Sequence, residues 1–107
     1  MDIRLKKQKD FDLVFKKGNR VYSKSLTILF IKSESLNIGI SLSKKHGKAV
    51  KRNKIKRLLR ACVRNFISNF NDNYYIVFFP YLSENYDYFI FLNDIEYTLK
   101  KGKLING

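Results

Sequence analysis

Ten lysines and arginines stand between Lys44 and Arg64, and no Asp or Glu occurs from Ser35 to Asn71. Cations gathered in this way do one piece of chemistry well, which is to neutralise phosphates. At ~100° per residue, Lys56, Arg57, Arg60 and Arg64 fall on one arc of a helix, while Ile55, Leu58, Leu59, Cys62, Val63, Phe66 and Phe70 recur on a separate apolar stripe. A disordered basic tail has no such stripe. The block is therefore read as a packed helix, Lys48 to Arg64, with a cationic outer face on which Asn53 can reach a base edge or a 2′-hydroxyl. A face kept only for solubility mixes both signs, and this one does not.

Catalysis by the polypeptide finds little support. Acid–base cleavage of a phosphodiester draws on paired imidazoles, paired carboxylates or metal-holding acids, whereas the nine acids here are scattered and His46 is the only histidine. In the turn Lys44-Lys45-His46-Gly47-Lys48 its surroundings favour the neutral form, and it reads as a solvated loop residue available for a backbone, base or phosphate contact. Cys62 sits on the apolar stripe and reads as a small buried hydrophobe, not a nucleophile. A single cysteine permits no internal disulfide, and with one histidine there is no zinc spacing. No Walker, Rossmann or metalloprotease spacing occurs, so no protein-bound cofactor, metal or small-molecule substrate is expected.

The cations belong to a chain of 107 residues with a net charge of +13 and 45% apolar residues, enough for one domain, 1–107, with its own core. The charge is uneven: residues 1–32 sum to +6, residues 33–71 to +9 and residues 72–107 to −2. A polyanion is the expected partner, because it relieves the self-repulsion. The start Met-Asp-Ile-Arg-Leu-Lys-Lys carries no apolar stretch of a signal peptide. The longest apolar run, Tyr74 to Leu82, falls well short of the ~20 residues of a membrane span. A cytoplasmic protein without a membrane partner is the expectation.

Periodicity supplies the remaining elements. Phe11, Val14 and Phe15 at helical spacing predict a short helix over Asp10 to Lys17, stopped by Gly18. Arg20 to Lys24 and Leu26 to Lys32 are β-branched and aromatic, and read as strands before a polar turn at residues 32–35. Asn37 to Ser43 alternates, with Ile38, Ile40 and Leu42 on one face and Gly39, Ser41 and Ser43 on the other. Tyr74 to Phe79 reads as a strand covered on both sides and ended by Pro80. Tyr86 to Leu92 is assigned to a further strand, and Asn93 with Glu96 suggests a capping box for a last helix over Asp94 to Lys101.

The sequence from Ser41 to Arg60, SLSKKHGKAVKRNKIKRLLR, closely resembles the signature of the bacterial ribonuclease P protein subunit: Ser-x-Ser-Lys-Lys, Gly-x-Ala-Val-x-Arg-Asn, then Ile-Lys-Arg and a following Arg. Arg4-Leu5-Lys6-Lys7 with Asp10-Phe11, Val14-Phe15-Lys16 and Gly18 is similar to the family's first helix. The resemblance implies an α/β (α+β) two-layer sandwich: a mainly antiparallel sheet of about four strands packed with helices, and a left-handed βαβ crossover into the motif helix. General topology rules give a right-handed crossover in ~98% of cases, so that hand comes from the resemblance alone. The implied role is that of accessory subunit to a catalytic RNA, which with Mg²⁺ at its own active site removes the 5′ leader of precursor tRNA. Ribonuclease P RNA and precursor tRNA are the implied partners.

Two RNA surfaces follow from the likeness. Lys48, Lys51, Arg52, Asn53, Lys56, Arg57 and Arg60 match the helix that faces the catalytic RNA, and Phe11, Phe15, Thr27, Leu29, Ser41, Ser43 and Lys45 match the cleft for the single-stranded leader. Read without the likeness, Phe11 and Phe15 at i, i+4 are core residues; with it, an open cleft is equally well supported. Leu29 stands where the family often has an aromatic residue, Phe78-Phe79-Pro80 lacks a basic residue, and residues 81–92 are unusually aromatic, which fits either self-association or a deeper core. Composition alone leaves a ribosomal or other structural RNA-binding protein as the alternative.

Overall fold

A computed structural model of the chain describes residues 3–106. Runs of alternating side chains build its sheet. Strands β1 (Asn19–Tyr22), β2 (Leu26–Lys32), β3 (Asn37–Ile40) and β4 (Tyr74–Pro80) lie in the order β1-β2-β4-β3. Strands β1, β2 and β4 are antiparallel neighbours, and β3 runs parallel to β4, with Gly39 opposite Val77. The parallel pair requires a crossover, and helix α2 (Ala49–Val63) provides it. Residues 3–5 lie along the outer side of β3, where the Leu5 amide donates to the Ile38 carbonyl and the Ile38 amide to the Ile3 carbonyl. The otherwise open sheet edge is thereby paired.

Alternation sorts the sheet's side chains to two faces. Leu26, Ile28, Phe30, Ile76 and Phe78 meet Ile55, Leu59, Cys62 and Val63 of α2 and Phe91, Ile95 and Leu99 of helix α3 (Tyr88–Lys101). Leu29 and Val77 face the other way and are covered by Val14 of helix α1 (Gln8–Lys17), with Leu5, Phe11, Phe15 and Phe79 around them. The α+β architecture, the four strands and the buried central β4 agree with the sequence expectation, and α1 adds a cover on the second face. In α2, burying Ile55 and Leu59 stabilises by roughly 1.5–3 kcal/mol each, while an exposed like-charge pair costs only about 0.2–0.5 kcal/mol. Burial wins, so a helix with no side-chain cap at Lys48 and no acid in its first turn still forms.

Three sequence expectations are corrected. Residues 86–92 are not a strand: α3 begins at Tyr88, where the Asp87 carboxylate accepts hydrogen bonds from the Phe89 and Ile90 amides. Asn93 and Glu96 consequently lie inside α3 and cap nothing. The strand expected to run to Ser43 leaves the ladder after Ile40, although the Ser41 amide still reaches the Phe78 carbonyl at 3.0 Å. Arg20 to Lys24 is shorter as well, because Ser23 turns the chain by bonding to the Leu26 carbonyl.

Candidate nucleic-acid interface

Strand β3 and helix α2 run side by side in opposite directions, so positions along one match positions along the other. Arg52, Lys56 and Arg60, spaced i, i+4, i+8, form one wall of a groove along β3. Gln8, Phe11 and Phe15 of α1, with Arg4, Leu5 and Lys6 before it, form the opposite wall, and Ile38 to Leu42 form the floor. Beyond Arg60 the groove opens into an apolar recess floored by Ile3, Ile38, Val63 and Ile67 and rimmed by Arg4, Arg60 and Arg64. Among the described residues, none that lines this path is acidic.

The floor is low because of Gly39. A Cβ there would lie 2.6 Å from Cζ of Phe11, so only glycine lets that ring lie against the strand. Phe11 and Phe15 are half-buried: their inner edges pack on Val14, Leu29 and Val77 while both rings line the groove. They combine the two roles that the sequence set against each other, and an aromatic face beside cations suits an unpaired base.

Arg52 carries the most specific polar signal. Its Nε is buried and has no hydrogen-bond partner. A buried donor without an acceptor costs about 1–3 kcal/mol, and an anionic oxygen in the groove would remove that cost. Among the described residues, no carboxylate lies within ion-pair range of a cation of α2; Lys32–Asp72 and Lys100–Glu96 pair elsewhere on the surface.

The two residue sets expected from sequence are redistributed. Arg52, Lys56 and Arg60 share the groove with Phe11, Phe15 and Ser41 and do not form a separate surface. Asn53 and Arg57 point outward from α2, and Lys48 and Lys51 are exposed at its start. Lys45 and Ser43 are exposed on the turn that follows the floor. Thr27 and Leu29 are corrected as groove residues. Leu29 is 3% exposed beneath α1, and Thr27 is 6% exposed with its hydroxyl bonded to the Tyr81 hydroxyl at 2.6 Å. Their alternation gives the right sheet face but not the helix that covers it. Arg4, Lys6 and Gln8 were missed as groove residues, although the cationic run before the first helix was a usable signal.

His46 is the largest correction. It is 3% exposed and not solvated. Its Nδ1 accepts from the Ser43 amide at 3.0 Å, which leaves the proton on Nε2, and Nε2–H donates to the Pro80 carbonyl 2.8 Å away. The imidazole thus pins the turn after the groove floor to the end of β4. Gly47, at φ 109°, then reverses the chain into α2 in a conformation that other residues rarely adopt.

Cys62 is buried; its thiol donates to the Tyr88 carbonyl, and burial pushes its pKa up to about 11. It is no nucleophile at neutral pH. Among the described residues, no three His, Cys, Asp or Glu side chains are grouped to hold a metal ion. No described helix is long and apolar enough to cross a membrane.

Comparison with known proteins decides between RNA-binding families. The family described as Ribonuclease P matches residues 1–103. This chain belongs to the ribonuclease P family. It is 34% identical to the ribonuclease P protein component of Listeria monocytogenes serovar 1/2a over 106 residues, covering 95% of this chain and 89% of the relative. It is 44% identical to that of Bacillus velezensis over 64 residues, covering 57% and 55%. Among solved structures, the Staphylococcus aureus RNase P protein superposes with a TM-score of 0.86 at 30% identity, covering 99% of this chain and 100% of that one. The Thermotoga maritima RNase P protein gives 0.82 at 30% identity, covering 97% and 98%. The resemblance first drawn from residues 41–60 therefore extends to the whole fold.

Proposed function

We infer that this chain acts as the RNA-holding subunit of ribonuclease P, with cleavage carried out by its RNA partner. Family membership makes it part of an endoribonuclease of tRNA 5′ maturation that works with RNA. The partners proposed are ribonuclease P RNA and precursor tRNA. The observation that carries this reading is a groove without acids among its described lining residues, in which Arg52, with its unsatisfied Nε, stands together with the half-buried rings of Phe11 and Phe15. Such a groove accepts an extended single strand, with phosphates toward α2 and bases toward α1. In this reading the groove takes the 5′ leader, and the outward face of α2, with Asn53 and Arg57, takes the catalytic RNA. The polypeptide contributes binding and orientation, Mg²⁺ acts at the RNA active site, and the holoenzyme works in the cytoplasm.

The test is reconstitution. Mixed with ribonuclease P RNA at near-physiological Mg²⁺, the chain is expected to restore cleavage of precursor tRNA at the mature 5′ end, with higher affinity for precursor than for mature tRNA. Binding to the RNA with no gain in turnover or substrate affinity would refute the assignment. Cleavage by the polypeptide without RNA would refute the division of labour.

A further inference from the structure

The outward face of α3 carries large apolar side chains where a solvated helix should be polar, and the Lys101 ammonium rests over one of them, the Tyr97 ring. Phe89 is 69% exposed, Ile90 55% and Tyr97 49%; Phe89, Asn93 and Tyr97 stack at i, i+4, i+8, and Ile90 borders them. Tyr22 and Leu82, also exposed, flank this stripe from β1 and from the segment after β4. An apolar stripe of this kind on a helix needs a partner.

Its charges decide which one. Residues 72–107 sum to −2, and Glu84, Asp87, Asp94 and Glu96 lie along the stripe or at its end. With Lys24, Lys100 and Lys101 beside these acids the patch is close to neutral and lacks the cationic excess that draws a polyphosphate. The signs are also ordered: Glu84 and Asp87 stand at the N-terminal end of α3, and Lys100 and Lys101 at the C-terminal end. Turned end for end, the stripe matches itself. Asn93 lies midway between Phe89 and Tyr97, so a two-fold axis at Asn93 sets Phe89 against Tyr97 of the mate and brings Asp87 near the mate's Lys100, whose partner within one copy is the exposed Glu96, with the helix dipoles antiparallel. For two copies that each carry +13, this near-neutral face brings together less like charge than the cationic face of α2 would.

We propose that α3 is the interface to a second copy of this chain, packed antiparallel about a two-fold axis at Asn93. The groove is lined by α1, α2 and β3 and by no residue of α3, so such a pairing leaves both RNA-binding grooves open. Because one helix face is small by the standard of permanent dimers, the pairing is expected at high protein concentration, in salt sufficient to screen the net charge.

Sedimentation equilibrium and directed crosslinking test this on the full chain. The mass is expected to rise with concentration from 12.7 kDa toward twice that value, and Phe89→Glu should hold it at the monomer while leaving the circular dichroism spectrum unchanged. With oxidised glutathione as oxidant, Asn93→Cys should form a disulfide-linked dimer far faster than Leu13→Cys on α1. An equimolar mixture of Phe89→Cys and Tyr97→Cys should crosslink more than either variant alone; the buried Cys62 does not compete. A monomer throughout would overturn the proposal. So would association in which Asn93→Cys links no faster than Leu13→Cys, since the contact would then lie on another surface.

Discussion

Replacing Arg52 by methionine would separate the phosphate binding proposed for the groove from every other source of affinity. The substitution keeps an unbranched apolar stem in the half-buried position and removes the guanidinium whose Nε lacks a partner. Each phosphate neutralised on a single strand contributes about 0.7 to the slope of log K against log salt. The α2 wall presents three such cations, Arg52, Lys56 and Arg60, and accounts for about 2 units of slope by that rule. Arg52→Met should lower the slope by about 0.7 and weaken binding to a short single-stranded RNA regardless of its sequence. The fold should not suffer, because the wild-type Nε makes no bond that the variant loses, and removing a buried unsatisfied donor is neutral or slightly favourable. Fluorescence anisotropy titrations across a series of salt concentrations read the slope, and urea denaturation reads the stability. An unchanged slope would refute the placement of a phosphate at Arg52. A stability loss above about 1 kcal/mol would show that the guanidinium holds the fold together, contrary to the argument from its missing partner.

Two further outcomes follow from buried groups. His46→Leu removes the acceptor of the Ser43 amide and the donor to the Pro80 carbonyl; at about 1–3 kcal/mol for a stranded buried group, and less at the more exposed Ser43, a loss of about 3 kcal/mol is expected in urea denaturation, against under about 0.5 kcal/mol had the residue been solvated. Cys62 should resist a thiol reagent in the native protein and react on unfolding. Its folded pKa of about 11 lies above the ordinary value of 9.0, so its contribution to stability is complete below pH 9 and declines as pH rises toward 11; Cys62→Ala should remove that part of the alkaline decline in a pH series of melts.

What could be read in the sequence was what depended on one element's own period. The stripe Ile55, Leu59, Cys62, Val63 belongs to α2 whatever surrounds it, and it is buried as expected. Gly39 could be read as part of a small-residue face, and the Phe11 ring fills the space it leaves. The segment from Tyr86 misled because apolar residues occupy both sides of α3: Phe91, Ile95 and Leu99 face the core while Phe89, Ile90 and Tyr97 face outward, so the run lacks a polar side to mark the period. Leu29, Thr27 and His46 depended on contacts made far along the chain. The partner of His46, Pro80, is 34 residues away, and no local pattern distinguishes an imidazole that closes such a contact from one left in water. Members of the two residue sets expected to bind RNA share one groove for a related reason. That Arg52 and Lys56 face Phe11 and Phe15 follows from the pairing of β3 with β4 and the return of α2 beside it, which is a property of topology.

The direction of the groove has a mechanical consequence. Under the proposed function, an RNA strand along β3 would pull on the protein parallel to that strand, whose amides and carbonyls are bonded sideways to β4 on one edge and to residues 3–5 on the other. A tug along the groove loads those bonds together, in shear, and not one after another as peeling would. The groove floor is thus oriented to stay rigid along the line on which the proposed substrate strand would be drawn in and released.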